Sequence, residues 1–509
     1  MRKLSTAIGC ALLLVGLLSG CDETTQQPEW GIYDGPACGE EGTTPPWTTM
    51  GGNPGNTYRS KAEGPEDAEL IWGRELGPMW AFQDSPPYPA VIKLPSTLFR
   101  VTNAVVSGSG ALYTLAMGRE NPSEPSTAFL QVEQFGPDGA RGWSRRIRIS
   151  DSWKRDAVGI PPGHTGVLAL TDDCELAVRT PYRVQVLDPA SGDIRASYEV
   201  PGPQNGSVDY SPFQMRLMQW DDDGFLTTTN SKFESETNDE SQYAMRFSRI
   251  TTTNVSNGTQ VYRSRETGIS GGNYAPLIAQ PSNGRAFIRN PSGADDSGSA
   301  IGAIAPGSGE TENMGQLWAR SFEDQFFSLY ILGASKETFY FSAWDHEDRV
   351  YHLIALDAED GETEWIREFG DVPGENTSRP GANMAVGPNG SPIFAFEGAI
   401  VAMSDDGEVR WAYETSNDLQ NKETQFTTKA VGSEGRVYAV SELDGEYRIQ
   451  AMSAEGEKLF ELDLPDPWTK ARILALGADG TLYVEALQVR GEGDDGQVQS
   501  KLFAFGDAE

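Results

Sequence analysis

A glycine followed four residues later by an aromatic recurs along this chain, and that recurrence restricts the folds open to it. It occurs at Gly139/Trp143, Gly258/Tyr262, Gly361/Trp365, Gly407/Trp411 and Gly456/Phe460. In the fullest copy, residues 354–365, the apolar run Ile354-Ala355-Leu356 leads into a turn closed by Gly361, and a short second strand carries Trp365. Glycine takes the positive φ that such a turn demands, so each copy reads as a β-hairpin. Gly192 has Ala196 in the aromatic's place, and Trp318 follows a longer turn around Gly307-Ser308-Gly309. Trp318, Trp365, Trp411 and Phe460 recur every 46 to 49 residues. That period accommodates four strands of five to eight residues with short turns, which is one blade of a β-propeller.

Each unit holds a second, earlier glycine turn, as at Gly387-Pro388-Asn389-Gly390, Gly432-Ser433-Glu434-Gly435 and Gly477-Ala478-Asp479-Gly480. It joins the first strand to the second, and the aromatic hairpin joins the third to the fourth. The last unit has three strands, about 471–477, 481–489 and 498–505, and its fourth is supplied by Leu70-Ile71-Trp72-Gly73-Arg74-Glu75-Leu76. Fourth strands near Trp72, Trp143, Ala196, Tyr262, Trp318, Trp365, Trp411 and Phe460 predict an all-β, eight-bladed β-propeller of four-stranded antiparallel blades over 47–509. An N-terminal strand completing the last blade closes it and removes the open edge. The 56 glycines and 31 prolines, with short β-branched runs between them, agree with many short strands.

The first twenty residues differ in kind. Arg2 and Lys3 precede an apolar core, Ala11-Leu12-Leu13-Leu14-Val15-Gly16-Leu17-Leu18, too short for a spanning helix and shaped like an export signal. Leu18-Ser19-Gly20-Cys21 resembles the bacterial lipobox, which implies cleavage after residue 20 and diacylation of Cys21, a stable anchor because it carries more than one chain. Residues 21–46 are polar, with Pro and Gly, and read as a flexible tether of roughly 25–30 Å. Losing Arg2 and Lys3 leaves 38 basic against 74 acidic residues, a formal charge of −36. So acidic a surface repels phosphate backbones and anionic lipid headgroups, which argues against nucleic acid as a partner. In an oxidising envelope Cys38 and Cys174 either form a disulfide that staples the tether to the body or stay two separate thiols.

The repeat resembles the quinoprotein-type (PQQ-like) propeller repeat, Ala-x-Asp-x-x-x-Gly-x-x-x-Trp, which Ala355, Asp357, Gly361 and Trp365 match in full. Trp47-Thr48-Thr49-Met50-Gly51-Gly52-Asn53, with Gly64-Pro65 ahead of Trp72, also resembles the opening of secreted members. The resemblance implies that the aromatics Trp72, Trp143, Tyr262, Trp318, Trp365, Trp411 and Phe460 dock blade on blade, with Asp357 and Gly361 forming a turn. Enzymes of that fold use a quinone, a calcium ion and a catalytic aspartate, and many have a disulfide between adjacent cysteines. Here no two cysteines are adjacent, His164, His346 and His352 are scattered, and no ligand motif can be placed. We therefore expect no enzyme activity, no cofactor and no metal. Asp221-Asp222-Asp223-Gly224 and Ser404-Asp405-Asp406-Gly407 lack the alternating spacing of a calcium loop and read as solvated turns.

In such a blade the two glycine turns share one face, and the longer connections fall on the other. Those connections hold Trp80, Phe82, Tyr88, Trp153, Phe233, Trp344 and Trp468 among Pro, Ser and carboxylates. Exposed aromatics of this kind form a binding face, or else they plug the propeller mouth. The combination of lipobox, short tether and cofactor-free propeller is similar in architecture to the lipoprotein of the outer-membrane β-barrel assembly machinery. It implies a monomeric body with a protein partner, anchored in the bacterial cell envelope at the outer membrane or cell surface, with the inner membrane as the alternative. Surface adhesion or glycan binding is the alternative.

Overall fold

In the computed structural model the strands fall where hairpin chemistry places them. The structure describes residues 33, 35–38, 59–80, 101–119, 128–148, 167–171, 174–179, 183–199, 217–220, 225–235, 243–254, 260–263, 267–268, 278–279, 286–289, 300–304, 316–322, 328–335, 337–345, 350–369, 384–396, 399–414, 425–443, 446–465, 468, 470–490 and 497–507. Among them are 33 strands and no helix. The strands form eight antiparallel sheets, seven of four strands and one of five.

Seven sheets follow chain order. The first comprises Val101–Val106, Leu112–Arg119, Ala128–Phe135 and Arg141–Arg148, and the second runs from Val167–Leu170 to Ile194–Glu199. The third spans Leu217–Trp220 to Gln260–Arg263, the fourth Ile278–Ala279 to Gln316–Ser321, and the fifth Ser328–Ala334 to Thr363–Phe369. The sixth ends on Val409–Glu414 and the seventh on Lys458–Asp463. The eighth joins Lys470–Leu476, Leu482–Arg490 and Gln497–Asp507 to the N-terminal strand Ala68–Trp80, with Ala68 opposite Asp507 and Trp80 opposite Gln497.

First strands pack against first strands. Val101–Val106 lies between Lys470–Leu476 and Val167–Leu170, and the fifth, sixth, seventh and eighth sheets follow one another the same way. These inner strands and their neighbours are buried on both faces by adjacent sheets, so they read as continuous apolar runs, as in Leu176–Arg179 and Thr338–Asp345. Fourth strands instead alternate between half-buried and exposed positions, as Thr363–Phe369 and Val409–Glu414 do, because one face meets the next sheet and the other meets water. The turns obey the glycine rule: Gly139, Gly192, Gly361, Gly407 and Gly456 all sit at positive φ, between 74° and 86°.

Two findings amend the sequence reading. Trp80 lies on a strand, not in a connection, because the eleven-residue strand Gln497–Asp507 offers it a partner. Residues 33–38, inside the stretch read as a free tether, are fixed to the body. Cys38 and Cys174 are joined in a disulfide with Cα atoms 6.0 Å apart, Tyr33 N donates to Arg141 O at 3.1 Å, and Tyr113 Oη donates to Ala37 O at 2.9 Å.

Candidate functional site

The best-defined chemistry lies in the seams between sheets. Five tryptophans of fourth strands reach the last turn of the following sheet, where the indole N–H meets a backbone carbonyl and the ring covers the turn glycine. Trp72 donates to Pro137 O at 2.8 Å, Trp143 to Pro189 O at 2.8 Å, and Trp318 to Ala358 O at 3.3 Å. Trp365 donates to Asp405 O at 2.6 Å and Trp411 to Ala454 O at 2.9 Å. A Cβ at Gly139, Gly192, Gly361, Gly407 or Gly456 would stand 2.4–2.7 Å from the covering ring, so these glycines are required for the fit as well as for the φ. Phe460 lacks the donor and packs by its ring alone, 6.4 Å from Tyr438. Trp72, from the N-terminal strand, locks the eighth sheet onto the first.

Asp357 does what its place in the motif implies. Its Oδ1 accepts the amides of Glu359 at 2.6 Å and Asp360 at 3.2 Å, and its carbonyl takes the Gly361 amide at 3.0 Å. Asp188 repeats this in the second sheet. Partial burial works against its charge, but hydrogen bonds from Arg195 and from the Ala190 and Ser191 amides win, holding its carboxyl below the usual range.

Three partnerships went unread in the sequence. Two residues after four of the tryptophans stands an arginine: Arg74, Arg145, Arg320 and Arg367. Arg74, Arg320 and Arg367 donate to Gly139 O, Gly361 O and Gly407 O at 3.2, 2.6 and 2.7 Å, and Arg145 reaches Asp193. The repeated Trp-x-Arg was the available signal. Buried tyrosines of second strands form another set: Tyr340 Oη donates to Gly390 O at 2.7 Å, Tyr483 to Gly110 O at 3.4 Å and Tyr438 to Pro65 O at 3.0 Å. Burial pushes these phenols up, out of reach of physiological pH. The third is Glu485, fully buried, which accepts Ser500 Oγ at 2.8 Å, Arg472 Nη2 at 2.9 Å and, across the seam, the Val101 amide at 3.0 Å. Nothing local marks it.

The aromatics expected on the loop face separate. Trp468 is 6% exposed and packs edge-on against Phe503 with ring centroids 5.7 Å apart, so it belongs to the core and not to an exposed surface. Trp344 is half-buried on a strand of the fifth sheet, 4.4 Å from the Tyr351 ring. Trp80, Phe233 and Tyr262 lie on strands, but their side chains fall outside the described residues, as do Phe82, Tyr88 and Trp153 entirely. Cys21 and Asp221–Asp223 also fall outside them. Asp405 and Asp406 sit in a hairpin turn. A quinone-and-calcium centre needs carboxylates with free coordination sites. Glu485, among the most enclosed carboxylates, already has its oxygens occupied by Arg472, Ser500 and the Val101 amide. Among the described residues no group of three or more His, Cys, Asp or Glu side chains is placed to hold a metal ion.

Residues 249–487 match the family model described as outer membrane protein assembly factor BamB. Over that stretch the chain resembles PQQ-like propeller proteins. The match spans four complete sheets and their tryptophan seams, together with parts of the third and eighth. No curated protein matches the chain. Among solved structures it is similar to the WD40 domain of SCAP from fission yeast, at 8% identity, with a TM-score of 0.44 and coverage of 86% of this chain and 97% of that one. It is also similar to the polysaccharide lyase Uly1, at 10% identity and a TM-score of 0.42, covering 85% and 99%. For the Dos1 propeller the values are 11%, 0.37, 80% and 81%.

Proposed function

We propose that this PQQ-like protein is a lipid-anchored component of the bacterial cell envelope whose sheets close as an eight-bladed ring and present a platform for a protein partner, without catalysis. The observation that carries the reading is the match of residues 249–487 to a family named for an outer-membrane assembly factor. The chain's opening supports the envelope location, since Leu18-Ser19-Gly20-Cys21 follows an export-like segment. The pairing of Ala68–Trp80 with Gln497–Asp507, and Trp72's reach onto the first sheet, support closure. A closed ring with tight turns on one face leaves the longer connections of the other to make contacts, and irregular loops on a rigid scaffold are where binding concentrates. The absence of adjacent cysteines from the sequence supports a role without a quinone.

The test is photo-crosslinking in intact cells from the loop end of the outer strands, for instance at Glu414, with the products identified. Recovery of envelope assembly proteins supports the platform. Recovery of polysaccharide alone would turn the reading to glycan binding, and quinone-dependent turnover by the purified protein would overturn the non-catalytic role. Fatty-acid labelling of the wild type, lost in Cys21→Ser, checks the anchor.

A further inference from the structure

One outer strand is unlike the rest. Arg141–Arg148, the fourth strand of the first sheet, reads RGWSRRIR, with four arginines and no carboxylate, a formal +4 in a chain of −34. The corresponding strands carry far less: AELIWGRELGPMW, TEWIREF and KLFELD are each −1, IRASYE and VRWAYE neutral, and QVYR and QLWARS +1. Arg141 pairs with Glu133, Arg145 lies 3.4 Å from Asp193 with both side chains well exposed, and the Arg146 guanidinium sits 4.6 Å over the Phe129 ring. Glu133 and Asp193 belong to other elements, so the charge of the strand itself is four positive groups and no negative one. Its outer edge has no partner strand among the described residues.

The second observation is where the chain's upstream end meets the body. Tyr33 hydrogen-bonds to the carbonyl of Arg141, the first residue of that strand. Tyr33 stands only twelve positions after Cys21. As a flexible segment they span about 20 Å, and fully extended no more than about 40 Å. A membrane attached at Cys21 is thus kept within about 40 Å of the first residue of the arginine-rich strand. The turn face has the opposite character, with Asp138, Asp357, Asp405, Asp406, Glu434 and Glu455 in its hairpins, and an anionic surface repels it.

We propose that the outer edge of the first sheet is the membrane-facing side of the body and docks on anionic lipid headgroups. The inference rests on the lipid-anchor reading of Cys21. It sets the propeller on its rim, with the loop face open to the side where a partner can reach it.

The acylated full-length protein, reconstituted in vesicles, decides the matter. A photo-crosslinking residue replaces Ser144, exposed on this strand, or Glu364, exposed on the outer strand of the fifth sheet. Ser144 labels lipid several-fold more than Glu364 does in phosphatidylcholine–phosphatidylglycerol vesicles. That excess is about tenfold above the level in pure phosphatidylcholine, and it falls as salt is raised. Arg145→Glu with Arg146→Glu and Arg148→Glu abolishes the excess, and the matching lysine variant retains it, which separates charge from folding. Equal labelling from the two sites, or an excess untouched by the glutamates, overturns the proposal. Flotation with neutral vesicles tests the anchor separately. If the chain does not float, the anchor fails, and binding of the unanchored chain to mixed vesicles, lost or kept in the glutamate variant, still decides the edge.

Discussion

The second and fifth sheets are built to one plan and fastened in different ways. In the fifth, Trp365 ties its outer strand to the next sheet through a carbonyl, a glycine and, two residues on, Arg367. In the second the same place holds Ala196, packed within its own sheet's small apolar cluster, and Arg145-type reinforcement comes only from the preceding sheet. The second sheet instead carries Cys174, cross-linked to Cys38 in the segment that runs over the first sheet. The disulfide thus adds to the seam between the first and second sheets, which Trp143 already locks, whereas the seam that follows Ala196 lacks the tryptophan. Blade identity in this chain is therefore a matter of which fastener a seam uses, not of whether the sheet forms.

The sharpest way to break that comparison is to remove the covalent fastener. The disulfide bridges a sequence separation of 136 residues, and closing so long a loop is worth about 5 kcal/mol in the chain-entropy picture. Replacing Cys38 and Cys174 by serine lowers stability by up to that amount, read as a fall in denaturation midpoint. Hydrogen exchange localises the effect. Amides of the second sheet lose protection first and those of the fifth keep theirs. Uniform loss across both sheets would mean that the two seams are not independent.

Next in size is Trp365→Ala. It removes a half-buried indole and orphans the Asp405 carbonyl, together about 3 kcal/mol. The fifth and sixth sheets then exchange faster while the second is unaffected, the mirror image of the first experiment. Tyr340→Phe is milder. It deletes only the hydroxyl that donates to Gly390 O at 2.7 Å, at a cost of about 1 kcal/mol by chemical denaturation. A larger loss would show that the tyrosine set, and not the tryptophans, holds these seams.

The strands, the turns and the tryptophan docking were legible because they rest on local chemistry: a glycine at positive φ, a fixed four-residue offset and a period set by strand length. The fasteners that sequence reading passed over join residues far apart in the chain. Glu485 meets the Val101 amide 384 positions away, and no window of residues around either reports the other. Trp468 was misplaced for the same reason. Its neighbours Asp466 and Pro467 suggest an exposed connection, but Phe503 from the last strand covers it. The arginine-rich strand was visible in the sequence throughout. It acquires meaning only when Tyr33 is found bonded to its first residue.

The smallest effect compares turn chemistry and is pH-dependent. Asp188 holds the last turn of the second sheet, whereas Ser404 and Ser453 do so in the sixth and seventh. The Asp188 carboxyl is held below its ordinary value of 3.8, burial opposing and hydrogen bonds from Arg195 and two amides prevailing. A carboxylate depressed on folding stabilises the native state above its unfolded-state pKa, and that contribution is lost as pH falls through the folded value. Asp188→Asn is therefore slightly less stable than the wild type at neutral pH, and the difference in thermal midpoint closes below about pH 4. Ser453→Ala, which removes a hydroxyl that accepts the Glu455 and Glu457 amides, should instead show a difference much less sensitive to pH over that interval. A flat difference for Asp188→Asn would place the turn's stability in its backbone and glycine rather than in the charge.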